Sequence, residues 1–370
     1  MEGNRGEWAE IYTALKLLAE GKLYMANSLG KKNLNEYMKI LDLIRNETKV
    51  RIVKYNLDPN TTDVCIDVNN QHIKAIPVKE FEAMADALAQ NIRDGVGNKF
   101  SLKPLLASQI KNAEFTTIKA RSEDKSDIFI SVIDPRTSIV RKEIGFSIKS
   151  EFAADPSTLF NYGKASAVVY KLSNMNDVLM DKINAIDTHK KILDRCKALL
   201  DNNCSPEYIG FNVPPQIGYP VFQENLDLLN PRLPKVIETL LYNHFFKRIK
   251  GRYLDEMVVP LIEQNPCNVR DPKNKYVFML KNFVYATYCG LTATTPWDGK
   301  SDVNGGLIHV NSVGDIVAYY AMESDNFKNY LFNHCLIDYP DTKPSKGDYG
   351  YIYKNGDDYF FKLNFQIRYE

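Results

Sequence analysis

Several features are missing from this 370-residue chain, and each absence removes a class of function. No apolar run reaches the ~18 residues that a membrane helix needs. The N-terminus, Met1-Glu2-Gly3-Asn4-Arg5, is polar and leads into an amphipathic segment rather than a signal peptide, so export is not expected. The six cysteines (Cys65, Cys196, Cys204, Cys267, Cys289 and Cys335) form no C-x-x-C pair, and the five histidines complete no zinc pattern. Reduced thiols in a cytoplasmic protein are the expectation. There is no G-x-x-x-x-G-K-[ST] loop and no G-x-S-x-G elbow, and Gly95-Val96-Gly97 reads as a helix cap, not a nucleotide cradle. No repeat or low-complexity tract occurs. Charge of one sign is also lacking: 47 Lys and Arg stand against 46 Asp and Glu, which counts against coating nucleic acid by bulk charge. What remains, 44% hydrophobic and 25% charged residues, is the profile of a soluble globular protein, with a length that suits two domains or one with insertions.

Periodicity then sketches the elements. Trp8, Ile11, Tyr12, Leu15 and Leu18 form one stripe, which predicts a helix over 7–20 stopped by Gly21. A second helix is predicted over 34–45. The period then changes to two: Val64, Ile66 and Val68, a turn at Asn69-Asn70, and Ile73 and Ile76 predict a hairpin. Helices follow over 79–93 and 102–111. Strands are predicted at Asp127–Ile133 and Glu143–Lys149 around an Asp134–Ser138 turn, whose Pro135 presets φ. Pro156 is expected to open a short helix over Ser157–Tyr162, before a strand at Ala167–Leu172. Residues 174–265 read as mainly helical, with breaks at Pro206, Pro214-Pro215 and Pro231–Pro234. A hairpin turning at Val313-Gly314-Asp315, a helix over 325–333 and strands at Tyr349–Tyr353 and Tyr359–Tyr369 complete an α+β chain with a helix-rich middle.

One constellation carries chemistry. Asp127 and Lys149 lie 22 residues apart on what should be adjacent antiparallel strands. On the second strand Gly145, Ser147 and Lys149 share one face, and Ile144, Phe146 and Ile148 share the other. The apolar set belongs in a core; the first set offers a lysine and a hydroxyl beside the Asp127 carboxylate. A carboxylate can hold Mg²⁺, and a lysine beside it can orient water and offset charge on phosphorus, which together suit phosphodiester hydrolysis. That is the logic of the PD-(D/E)xK nuclease core. The fit is partial: Ser126-Asp127 stands for Pro-Asp, and Ser147-Ile148-Lys149 for acid-x-Lys. Serine is a poor metal ligand, so another acid is needed. Glu10 shares its helix face with Ala14 and Leu17 and ranks first; Glu143 and then Glu7 follow, the last doubling as a first-turn acid of the helix. The plain alternative is an edge hairpin with a solvated Lys149.

The segment Gly6-Glu7-Trp8-Ala9-Glu10-Ile11-Tyr12, with Lys16-Leu17-Leu18 and Gly21-Lys22-Leu23-Tyr24, resembles the N-terminus of HpaII-type restriction endonucleases. So do Lys125-Ser126-Asp127-Ile128, Gly145-Phe146-Ser147-Ile148-Lys149-Ser150, Pro156–Asn161 and the tail Lys362–Tyr369. The resemblance implies a restriction-endonuclease-like mixed sheet flanked by helices, and Mg²⁺-dependent cleavage of double-stranded DNA at a short sequence. It also implies a partner methyltransferase that protects host DNA. Under it Asp127 is a metal ligand, Lys149 the catalytic lysine, Ser147 the place of the missing acid, and Glu10 the helix acid, with Glu143 as the alternative ligand.

Residues 1–172 are then expected to carry the catalytic core, and 173–370 a helical DNA-recognition region with C-terminal antiparallel strands. Lys247, Arg248, Lys250 and Arg252 place four cations in six residues at a predicted helix end, suited to phosphate contact or to the helix dipole. Asn174, Asn176 and the Thr292–Asn304 loop with Trp297 are candidates for reading base edges. Cutting both strands favours a homodimer. Two rival readings use the same residues: a non-specific or nicking nuclease, and a catalytically degenerate DNA-binding protein, which Ser147 permits.

Overall fold

A computed structural model describes the chain except at residues 28–30, 59–60, 119–125, 153–156, 213–219, 301–303, 321–323, 341, 343–346 and 370. The expectations placed on Lys125, Pro156 and Pro214-Pro215 lie outside the described residues. The chain opens with β1 (Glu2–Gly3), α1 (Arg5–Glu20), β2 (Lys22–Ala26), β3 (Lys32–Thr48), β4 (Arg51–Leu57), β5 (Asp63–Val68) and β6 (Gln71–Pro77). It continues with α2 (Val78–Asp94), β7 (Phe100–Ser101), α3 (Pro104–Asn112), β8 (Ile128–Ile133) and β9 (Val140–Ser150). The middle holds β10 (Ser157–Asn161), β11 (Ala167–Leu172), α4 (Asp177–Asn184), α5 (Lys191–Asp201), β12 (Pro206–Phe211), α6 (Val221–Leu229), α7 (Leu233–Phe245), α8 (Leu254–Gln264) and α9 (Pro272–Cys289). Last come β13 (Gly306–Val310), β14 (Ile316–Tyr320), α10 (Ser324–His334), β15 (Cys335–Ile337), β16 (Ile352–Asn355), β17 (Asp358–Asn364) and β18 (Gln366–Tyr369). The class is α+β.

Local chemistry sets several of these boundaries. Asn4 and Glu7 form a capping box: the Glu7 N–H donates to Asn4 Oδ1, and the Asn4 N–H to Glu7 Oε2, at 2.9 Å each. Gly21 ends α1 in the left-handed region at φ 63°. Asn69 and Asn70, at φ 52° and 66°, make the two-residue turn between β5 and β6, where both positions need positive φ.

The chain divides into two compact units, Met1–Asp155 with Ser301–Phe327, and Pro156–Lys300 with Lys328–Glu370. The first is built on a nine-stranded sheet in the order β2-β14-β13-β9-β8-β3-β4-β5-β6. Its pairings are antiparallel except β9 with β13 and β14 with β2. Leu23, Met38, Ile40, Tyr55, Ile66, Ile130, Phe146, Ile148 and Ile308 meet Trp8, Ile11, Leu15 and Leu18 of α1 and Phe81 and Leu88 of α2 in one buried cluster. The second unit carries two smaller sheets, β12-β11-β17-β16 and β10-β18-β15, with α4 to α9. Phe160, Phe222, Phe283 and Phe365 pack there with ring centroids 5.1–6.0 Å apart. No helix among the described residues is long and apolar enough to cross a membrane.

Four elements depart from the sequence expectation. The segment 34–45 is not a helix but part of the long strand β3. A bulge between Ile40 and Asp42 shifts its register against β8. The buried series therefore runs Met38, Ile40, then Leu43, Ile44, Arg45 and Glu47, and the step from Ile40 to Leu43 and Ile44 imitates a helical period. Two of those inward positions are charged. Arg45 donates through Nη2 to the Thr117 and Ile118 carbonyls, its Nη1 having no partner among the described residues, and Glu47 accepts the Thr116 N–H; charged inward positions of this kind leave no apolar signal. The expected helix over Ser157–Tyr162 is instead β10, paired antiparallel with β18 some 200 residues later. The final run Tyr359–Tyr369 is two strands in different sheets, separated at Phe365, whose N–H donates to the Ser166 carbonyl. The strand expected at Tyr349–Tyr353 begins only at Ile352.

Candidate active site on the central hairpin

The site grows out of the turn into β8. The Asp127 backbone N–H donates to the Phe146 carbonyl at 2.9 Å, which ties the residue to β9 just before β8 begins. Its carboxylate then turns onto the same strand. Asp127 Oδ2 accepts the Ile148 N–H at 2.6 Å and the Ser147 hydroxyl at 3.1 Å. Both hydrogen bonds described for this carboxylate fall on Oδ2. Gly145 makes the close approach possible. A Cβ there would lie 2.9 Å from Ser126 Cβ and 3.1 Å from Phe129 Cε1, and would overlap Ser126 Oγ outright. The Gly145 backbone is itself held on both sides: its N–H donates to Asn304 Oδ1 at 2.7 Å and its carbonyl accepts the Gly305 N–H at 2.8 Å.

Alternation along β9 runs as the sequence predicts. Ile144, Phe146 and Ile148 are buried in the core with α1, and Ser147 and Lys149, both half-buried, take the other face. Asp127, Ser147 and Lys149 are thus brought together at one end of the β8–β9 pair. Glu10 is not placed among them by any contact described. It sits half-buried near Ala14 and Leu17 on α1, the helix that packs with the isoleucine face of β9. Glu7 is occupied as the capping acid of α1. Glu143 stands exposed in a bulge of β9 at φ 51°, its N–H donating to Ser131 Oγ. Among the described residues no group of three or more His, Cys, Asp or Glu gathers as a metal site. One carboxylate oxygen with a hydroxyl beside it nevertheless suits Mg²⁺, which commonly takes one or two carboxylates and fills its remaining positions with water and substrate phosphate.

Two residues of this surface were missed in the sequence. The β9–β13 pairing is parallel and sets His309 as the register partner of Lys149. Glu151, two residues beyond Lys149, reaches His309: its Oε1 lies 3.0 Å from His309 Nε2, and its Oε2 accepts the Ser312 N–H at 2.9 Å. The parity of 147, 149 and 151 could have flagged the glutamate; nothing local could have flagged the histidine.

The cationic segment of the second unit follows α7 directly. Lys247, Arg248, Lys250 and Arg252 are all exposed. Arg248 pairs with Asp194 at 2.8 Å and Arg252 with Asp338 at 3.4 Å, whereas neither lysine joins an ion pair among the described residues. Asn174 and Asn176 are used locally, the first donating to the Asn203 carbonyl and the second capping α4. The Thr292–Trp297 segment is pinned from beneath by the buried Asn225, which donates to the Thr292 and Thr295 carbonyls and accepts the Trp297 N–H.

The profile described as HpaII restriction endonuclease matches residues 4–369. The Type II restriction enzyme HpaII of Haemophilus parainfluenzae is 30% identical over 369 residues, covering 99% of this chain and 98% of the relative. No solved structure matches.

Proposed function

Since the chain belongs to the HpaII restriction endonuclease family and is a type II site-specific deoxyribonuclease, we propose that it hydrolyses double-stranded DNA with the Asp127–Ser147–Lys149 surface as its active site. Enzymes of this type generally need a divalent metal ion, and the ion proposed here is Mg²⁺. The observation that carries the reading is the pair of hydrogen bonds that fold the Asp127 carboxylate onto β9 beside Ser147, two residues before Lys149 on the same face.

In this reading Asp127 holds the metal through its outward oxygen, and the Ser147 hydroxyl keeps the carboxylate oriented. When bound, Mg²⁺ polarises the scissile phosphate and lowers the pKa of a water. Lys149 supplies the cation that orients the attacking water and offsets charge on the phosphoryl oxygens. Glu10 is proposed as the acid that makes good the missing carboxylate at position 147, with Glu143 as the alternative; cleavage by Glu10→Gln against Glu143→Gln decides between them. The mixed sheet carrying these residues would be a PD-(D/E)xK-type core. The proposed division assigns residues 1–172 to catalysis and 173–370 to DNA recognition, apart from β13 and β14, which join the catalytic sheet, with Lys247, Arg248, Lys250 and Arg252 contacting phosphates. A homodimer, a cytoplasmic location and a paired DNA methyltransferase complete the proposal.

The test is digestion of phage and plasmid DNA with Mg²⁺ or EDTA, beside Lys149→Ala. Discrete bands that need Mg²⁺ and vanish in the variant are expected. A smear would indicate a non-specific nuclease. Intact unmethylated DNA with folded protein, in Mn²⁺ as well, would indicate the DNA-binding protein that Ser147 allows.

A further inference from the structure

Lys149 has an acid in front of it that it does not use. Glu151 lies two residues ahead, just past the end of β9 at Ser150, roughly 6.6 Å away along an extended chain and within reach of a lysine and a glutamate that lean toward each other. Yet among the described residues Lys149 joins no ion pair, and the Glu151 carboxylate is turned away to β13 and the loop after it. One oxygen is within hydrogen-bonding distance of His309 Nε2, the other accepts the Ser312 N–H, and the Glu151 N–H donates to the Val310 carbonyl at 2.9 Å. The imidazole that holds it is 5% exposed, while the Glu151 side chain is 46% exposed, so the histidine is the enclosed partner and the glutamate the one at the surface. Because β9 and β13 are parallel and His309 is in register with Lys149, the two side chains stand next to each other on one face.

We propose that His309 is a positioning residue for Lys149: it diverts Glu151 to the β13 side, so that the lysine is not neutralised by its own strand and stays available to DNA. The inference rests on the reading of Lys149 as the catalytic lysine. Without the imidazole donor, Glu151 Oε1 loses its buried partner and can turn back toward Lys149, two residues behind it. An ion pair there would compete with phosphate and water for the ammonium.

The experiment measures single-turnover cleavage at saturating enzyme, and the enzyme concentration that half-saturates it, on a DNA fragment carrying one mapped site. His309→Leu is expected to lower the rate on the order of 10–100-fold, the range for partners that orient an active-site ligand without touching substrate, with little change in half-saturation. Adding Glu151→Gln to that variant is expected to restore most of the rate, since the competing anion is gone. His309→Gln, which keeps a donor, should cut near the parent rate. A purely structural role predicts the opposite for the double variant, which would be as slow as His309→Leu or slower. That result, or a parent-like rate for His309→Leu, overturns the proposal. If His309→Leu does not fold, His309→Asn, whose shorter amide falls short of Glu151, takes its place with the same expectations. Lys149→Ala runs alongside: if it cuts at the parent rate, the reading of the site itself fails and the inference falls with it, whereas an inactive Lys149→Ala beside a parent-like His309→Leu sinks the inference alone.

Discussion

Gly145→Ala puts a single methyl group where the central hairpin has no room. The new Cβ would overlap Ser126 Oγ and lie 2.9 Å from Ser126 Cβ and 3.1 Å from Phe129 Cε1. The strand cannot retreat, because Asn304 and Gly305 hold the Gly145 backbone at 2.7 and 2.8 Å and β8 and β13 flank it. Ser126 is only 2% exposed and its hydroxyl has no partner among the described residues, so it is the group that must move. Overpacking of this kind costs roughly 1–3 kcal/mol. Removing a glycine from a strand returns about 0.5–1 kcal/mol of backbone entropy, so overpacking wins and the net loss should be on the order of 1–2 kcal/mol. The displacement passes to the next residue. Asp127 is bonded to Phe146, Ser147 and Ile148, and a shift of its carboxylate of about 1 Å should lower cleavage roughly 100-fold. Urea unfolding and single-turnover cleavage read the two effects. Ser126→Gly, added to the same chain, removes the colliding hydroxymethyl group and is expected to recover both. If Gly145→Ala is as stable and as fast as the parent, or if Ser126→Gly brings no relief, the packing argument is wrong.

Asp127→Asn tests charge without shape. The amide oxygen still accepts the Ile148 N–H, so stability should change by less than about 1 kcal/mol, while cleavage should fall roughly 10²–10³-fold or more; a variant that cuts normally would remove Asp127 from the site. His244 offers a pH test in the second unit. Burial, and then the Arg252 charge, push its pKa down to about 4 from 6.5, so the folded protein keeps the ring neutral. Its contribution is fully present above pH 6.5 and is lost as pH falls from 6.5 through 4, because the unfolded chain takes up the proton first. At 1.36 kcal/mol per unit that amounts to roughly 3 kcal/mol. His244→Phe, between Phe245 and Tyr339, should be less sensitive over that window by about this amount in urea unfolding at pH 7 and pH 4; an unchanged acid slope would show that the burden lies on other groups.

Much of the architecture was legible where local chemistry decides it. The Asn4–Glu7 box, Gly21, the Asn69-Asn70 turn and the hairpin around Val313-Gly314-Asp315 are short-range features, and each lies near where its residues suggest. Legibility failed where pairing or bulges overrule the local period. Strand β3 hides behind one inserted residue and two buried charges, and β10 is a strand only because β18 returns to pair with it. Phe160 illustrates the limit: its burial against Phe222, Phe283 and Phe365 depends on three segments that lie far along the chain.

The candidate site divides along the same line. Period-two alternation is enough to put Ser147 and Lys149 on one face, and the β8–β9 turn is short enough for Asp127 to be placed beside them by counting. His309 is 160 residues from Lys149, and its strand is joined to β9 in parallel. A parallel pair cannot be closed by a turn, so its register leaves no trace between the two segments. The residue beside a lysine on a central strand is therefore contributed by the far end of the chain. Its identity matters because it decides whether Glu151 faces the lysine or the loop. Hairpin counting exposes the groups that one turn brings together. The groups that keep a cation free for its substrate arrive by crossover, and in this sheet they come with β13.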